Sequence, residues 1–124
     1  MEEGGLVLTT DEQSINIDEA KFDELTAILG QQQVKELLQM YQAELNARCA
    51  SIKQAIISKD LTILSREGHT IKSSSANFGF ASLQALGKEL ETCGYNDDLT
   101  MALIVAEKIL PCADSTIKWM ALRC

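Results

Sequence analysis

His69 is the only histidine in the 124-residue chain, and it opens an unusual run, HTIKSSSANFG at residues 69–79. A neutral imidazole carries a proton on one ring nitrogen and a lone pair on the other. Near pH 7 such a ring can serve as nucleophile, base or metal ligand. On a helix the residues at i+3, i+4 and i+7 share its face, and here they are Lys72, Ser73 and Ala76. Lys72 puts a cation beside the ring, while Ser73 and Ala76 leave the surface around it flat and open. That arrangement clears space for something to approach His69. A single exposed histidine on a helix is usually an ordinary surface residue, and the serines beside it a tolerated polar patch, but three serines and an asparagine inside one helix are locally unfavourable, a cost that also fits a use for the site.

Other chemistry-bearing residues are sparse. The four cysteines, Cys49, Cys93, Cys112 and Cys124, form no CxxC pair, and one histidine completes no zinc spacing. We read Cys49, Cys93 and Cys112 as small core residues and Cys124 as a terminal, exposed thiol. A metal or haem held by His69 and a cysteine is disfavoured, because Cys93 lies on another helix and faces inward. The chain contains no P-loop, no other nucleotide-binding glycine pattern and no dense acidic metal cluster.

The elements that must position His69 are helical. NIDEAKFDELTAILG, residues 16–30, reads as a first helix capped by Asp18 and stopped at Gly30. A second spans 31–58, with Val34, Leu37, Leu38, Tyr41, Leu45, Cys49, Ile52 and Ile56 at steps of three and four. Asp60 caps a third, whose inward seam is Leu61, Leu64, Gly68, Ile71, Ser75 and Phe78. His69 lies roughly 130° from that seam and should be exposed. Gly79 ends this helix. A fourth covers about 81–93, with Leu83, Leu86, Leu90 and Cys93 inward, and GYNDD at 94–98 reads as a turn. A fifth starts near Leu99. Pro111 should kink or break it, with Ile117, Met120 and Ala121 facing inward beyond the break. The first 16 residues read as a flexible lead-in, and 17–124 as one domain. The fold class is therefore all-α, an antiparallel four-helix bundle with an additional N-terminal helix.

Composition bounds the function. The net charge is −7 and the isoelectric point about 4.6, which leaves no basic footprint for nucleic acid. Neither a signal peptide nor a membrane span is visible, so we expect a cytoplasmic protein without membrane partners. One candidate site and no second apolar face suggest a monomer. Met1 and the lack of linker sequence suggest a free-standing chain.

The stretch GHTIKSSSANFG resembles the signature of histidine-containing phosphotransfer (HPt) domains, roughly His-x-Leu-Lys-Gly-Ser-Ser-x-x-x-Gly after a small residue. His69, Ile71, Lys72, Ser74, Ser75 and Gly79 occupy its places, and LQALGKELE, residues 83–91, is similar to the Leu-rich segment that follows it. Ser73 departs from the family's usual Gly, and a hydroxymethyl group there should leave docking intact while altering partner affinity. The resemblance implies a phosphorelay intermediate. His69 would take a phosphoryl group from a receiver-domain aspartyl-phosphate and pass it to another receiver, in two-component signalling. Lys72 would offset charge on the phosphoryl oxygens. The family holds the other ring nitrogen with a carboxylate or amide 22 positions after the histidine, and that position is Glu91. Ser74 and Ser75 would let helices approach closely. The partners implied are response-regulator receiver domains and a hybrid sensor histidine kinase. No resident cofactor is implied, since the Mg²⁺ would belong to the receiver, and the chain would be a carrier without autonomous kinase activity. A bundle that docks a receiver or kinase without transferring phosphate is the alternative.

Overall fold

The structure, a computed structural model, describes the backbone of residues 6–9 and 14–123 and the side chains of residues 15–123. Two short strands, β1 (Leu6–Thr9) and β2 (Ser14–Ile17), precede five helices, α1 (Glu19–Leu29), α2 (Gln31–Ser58), α3 (Leu61–Ala76), α4 (Ala81–Tyr95) and α5 (Leu99–Arg123). Helices α2 to α5 form the bundle, and α1 packs on α2. The helix starts follow local chemistry. Asp18 accepts from the Lys21 amide and Asp60 from that of Ile63, each satisfying an orphan donor of a first turn. Gly30 joins α1 to α2 at φ 87°, a conformation that glycine adopts without strain.

The core is aliphatic along the bundle axis, with Leu45, Ile52, Leu64, Ile71, Leu83, Leu90, Val105 and Ile109 all buried. Its lower end is aromatic. Phe22 meets Trp119 edge-on at 5.1 Å between centroids, and Phe80 links Trp119 to Tyr41. Tyr41 shares a 2.8 Å hydrogen bond with the buried Ser75 hydroxyl, and burial pushes its phenol pKa well up. Ser75 thus satisfies a tyrosine inside the core, as a buried polar pair requires. Burial also pushes the Cys49 and Cys112 thiols up to about 11. Cys49, Cys93 and Cys112 are free, and the latter two are buried. Cys124 lies outside the described residues.

Three expectations need correction. The N-terminal lead-in does not extend to residue 16. β1 and β2 pair antiparallel from Leu6↔Ile17 to Thr9↔Ser14, and Ile15 and Ile17 are each 1% exposed. The alternation in Ser14-Ile15-Asn16-Ile17 is a two-residue period, which places both isoleucines on one face of a strand. Asn16 N–H donates to Ser82 Oγ at 2.7 Å, tying β2 to the start of α4. Pro111 does not end α5, which continues unbroken to Arg123. A single proline removes one i→i−4 bond. Buried Ile109, Cys112 and Ala113 on either side hold the helix together. Beyond it, Trp119 faces the core while Ala121 is exposed.

Candidate functional site

The site lies where α3 and α4 run side by side. Their approach is set by glycines. A Cβ on Gly68 would come within 2.8 Å of the Gly87 carbonyl and 2.9 Å of the Glu91 amide. A Cβ on Gly87 would meet the Gly68 carbonyl and the Lys72 amide, each at 2.7 Å. The two backbones are therefore in direct contact, and only residues without side chains fit there. Farther along, a Cβ on Gly94 would clash with Ser65, so α4 stays close to α3 down to its last turn. This approach carries Glu91 of α4 under His69 of α3.

The histidine ring is held on one side only. His69 Nδ1 lies 2.7 Å from Glu91 Oε2, while 60% of its side chain remains exposed. Lys72 Nζ donates to Glu91 Oε1 at 2.6 Å, and Tyr95 Oη donates to Glu91 Oε2 at 3.0 Å. Glu91 itself is buried. The hydrogen bond from Lys72 pulls its carboxyl pKa down, against the opposing effect of burial, with help from His69 and Tyr95; it falls to about 2. At neutral pH Glu91 is thus a carboxylate that can only accept. Nδ1 must carry the ring proton, and the lone pair sits on Nε2. Among the described residues Nε2 has no hydrogen-bond partner.

Each residue singled out in the sequence has a definite place. His69 is exposed as the helix geometry requires, and Glu91 reaches it. Lys72 is beside the site but is paired with Glu91 and half-buried. Ser73 is exposed and Ala76 half-buried on the same helix. Ser74 turns inward along α3 and donates to the Thr70 carbonyl at 2.9 Å. Ser75 is core. Gly79 lies beyond the last turn of α3 at φ 79°, and a Cβ there would stand 2.6 Å from the Asp18 carbonyl. The Asp18 amide in turn donates to the Gly79 carbonyl at 2.7 Å, so this glycine joins the first helix to the α3–α4 turn.

Tyr95 is the participant that sequence reasoning missed. It falls in GYNDD, whose turn-forming composition hides the fact that α4 runs on to Tyr95. Its i+4 relation to Glu91 was the available signal. Among the described residues no group of three or more His, Cys, Asp or Glu side chains could hold a metal.

The Hpt domain family model matches residues 36–110, a span that contains His69, Lys72, Glu91 and Tyr95. The chain belongs to the Hpt domain family. Membership gives this Hpt domain a histidine phosphotransfer role in phosphorelay. In structure it is similar to histidine-containing phosphotransfer protein B from Pseudomonas aeruginosa, with a TM-score of 0.79 at 21% identity, over 86% of this chain and 91% of that one. At that identity the likeness concerns the helical bundle. No curated protein matches the sequence. Among the described residues of this Hpt domain, no helix is long and apolar enough to cross a membrane.

Proposed function

We propose that His69 is the phosphoacceptor, through Nε2, and that the chain is a phosphoryl carrier between receiver domains. The observation that carries this reading is the one-sided hold on the ring. Nδ1–H is bound to an ionised, buried carboxylate, and the lone pair of Nε2 faces outward. Attack by Nε2 on an aspartyl-phosphate forms the N–P bond and breaks the aspartyl O–P bond, and the aspartate carboxylate leaves with the electron pair. No proton moves. The ring acquires a positive charge, which Nδ1–H shares with Glu91 at 2.7 Å. Transfer onward is the reverse step, to another aspartate.

Positioning and charge compensation are most of what phosphoryl transfer asks of a protein. Glu91 orients the ring and offsets its charge. Lys72 keeps Glu91 ionised, and an ammonium has three donors, so its remaining N–H groups are available to phosphoryl oxygens. Ser73 and Ala76 form part of the surface on which a receiver docks. The partners are response-regulator receivers and a hybrid sensor kinase, in the cytoplasm, and the Mg²⁺ sits on the receiver. The chain itself has no autonomous kinase activity.

The test is phosphotransfer from a ³²P-labelled receiver domain in Mg²⁺. Wild type should take up acid-labile, base-stable label and His69→Ala should not. Absence of label on wild type from several receivers would overturn the carrier reading and leave a bundle that docks without transfer.

A further inference from the structure

One contact at the site is not needed to orient the ring. Glu91 Oε2 accepts from both His69 Nδ1 at 2.7 Å and Tyr95 Oη at 3.0 Å. The carboxylate is already fixed without the tyrosine, by Lys72 on Oε1 at 2.6 Å and by burial against α3. Tyr95 is 78% exposed, so its ring contributes little to the core. It is nevertheless placed deliberately close. Gly94 lets Ser65 press against the last turn of α4, and Ser65 Oγ donates to the Glu91 carbonyl. The neighbouring carboxylate pushes the Tyr95 phenol pKa up, so the hydroxyl keeps its proton and remains a donor.

We propose that Tyr95 is a positioning residue that tunes His69: its hydroxyl competes with Nδ1–H for Glu91 Oε2 and so limits how strongly the carboxylate supports a cationic ring. This inference rests on the carrier reading, because the cationic ring is the one formed when Nε2 bears phosphate. The physical argument is acceptor sharing. Each donor to one oxygen withdraws electron density from the other bond, and hydrogen bonds that share one buried acceptor couple. With Tyr95 in place, phosphohistidine is less stabilised and its phosphoryl group passes on more readily. Without the hydroxyl, Oε2 is left to Nδ1–H alone, and the phosphorylated state gains.

The experiment compares wild type with Tyr95→Phe and Tyr95→Leu. The first removes only the hydroxyl and the second removes the ring as well. His69 is the only imidazole in the chain, so its ¹⁵N and Nδ1–H signals need no assignment by mutation. Both variants should move the Nδ1–H proton signal downfield, since that bond shortens. Both should also shift the transfer equilibrium with a phosphorylated receiver toward phosphohistidine, by about twofold, since the coupling between two bonds that share an acceptor is a fraction of one charge-assisted bond. An unmoved or upfield Nδ1–H signal in Tyr95→Phe overturns the inference. So does an unchanged equilibrium constant, or a change seen in Tyr95→Leu alone, which would make the ring and not the hydroxyl the active part. Failure of wild type to take label at His69 overturns the carrier reading instead. The NMR comparison needs no partner and still decides the role of Tyr95.

Discussion

Glu91 is the residue on which the site turns, because three donors from two helices converge on one carboxylate. Its pKa is depressed from 4.5 to about 2, chiefly by the Lys72 hydrogen bond. A carboxyl whose folded pKa lies below its unfolded value contributes stability above the unfolded value, and that contribution is lost as the pH falls through the folded one. The stability difference between wild type and Glu91→Gln, read from urea midpoints, should therefore be full above about pH 5 and shrink from there toward pH 2. The same variant tests the chemistry. A glutamine oxygen can still accept from Nδ1–H but cannot offset a cationic ring. A charge-assisted bond exceeds a neutral one by about 1 kcal/mol, so transfer should slow about fivefold with the fold intact by circular dichroism. Loss of Lys72 should act through the same group, since Lys72→Ala removes the main cause of the low Glu91 pKa.

The helices matter through how closely they approach. A cluster of residues 22 positions apart in sequence becomes a site because α3 and α4 touch backbone to backbone at Gly68 and Gly87. Gly68→Ala should push α4 outward. The expected cost is about 1–3 kcal/mol of overpacking, read by denaturant unfolding, together with slower phosphotransfer as Glu91 moves away from Nδ1. Pro111 poses the opposite question. It sits inside α5 without interrupting it, so Pro111→Ala should restore one helical hydrogen bond at a half-buried position. A gain of about 1–3 kcal/mol in unfolding free energy is expected, with unchanged transfer.

At the scale of the molecule, the N-terminal segment closes one end of the bundle. Ile15 and Ile17 insert into the core, Asn16 bonds Ser82, and Asp18 bonds Gly79. Arg123 stacks on Trp119 at 4.5 Å and pairs with Glu19 at 2.9 Å, which brings the end of α5 to the same place. Ile17→Ala should cost about 2–5 kcal/mol, the range for truncating a buried isoleucine. His69 lies seven residues before Ala76, the end of α3, about 10 Å at 1.5 Å per residue. The folded fraction of Ile17→Ala should therefore accept phosphate at the wild-type rate, as measured by labelling at a temperature where the variant is still folded.

Much of this was legible in the amino-acid order. Helix α2 has the bounds its apolar spacing implies, Asp18 and Asp60 cap where their side chains predict, and His69 is exposed because it stands off the seam of Leu64, Ile71 and Ser75. These are local matters, decided by i+3 and i+4 neighbours and by hydrogen bonds within a turn. What lay beyond reach depended on contacts between distant segments. The strand at Ser14–Ile17 is short, and only its burial against α4 and α5 makes it more than a lead-in. Trp119 rather than Ala121 faces inward because Phe22 and Phe80 wait there. Tyr95 belongs to a sequence that reads as a turn, and it joins the site because Gly94 admits Ser65 and prolongs the contact between α3 and α4. Periodicity and capping are written residue by residue, whereas the sharing of one carboxylate oxygen by two donors exists only once two helices have been brought together.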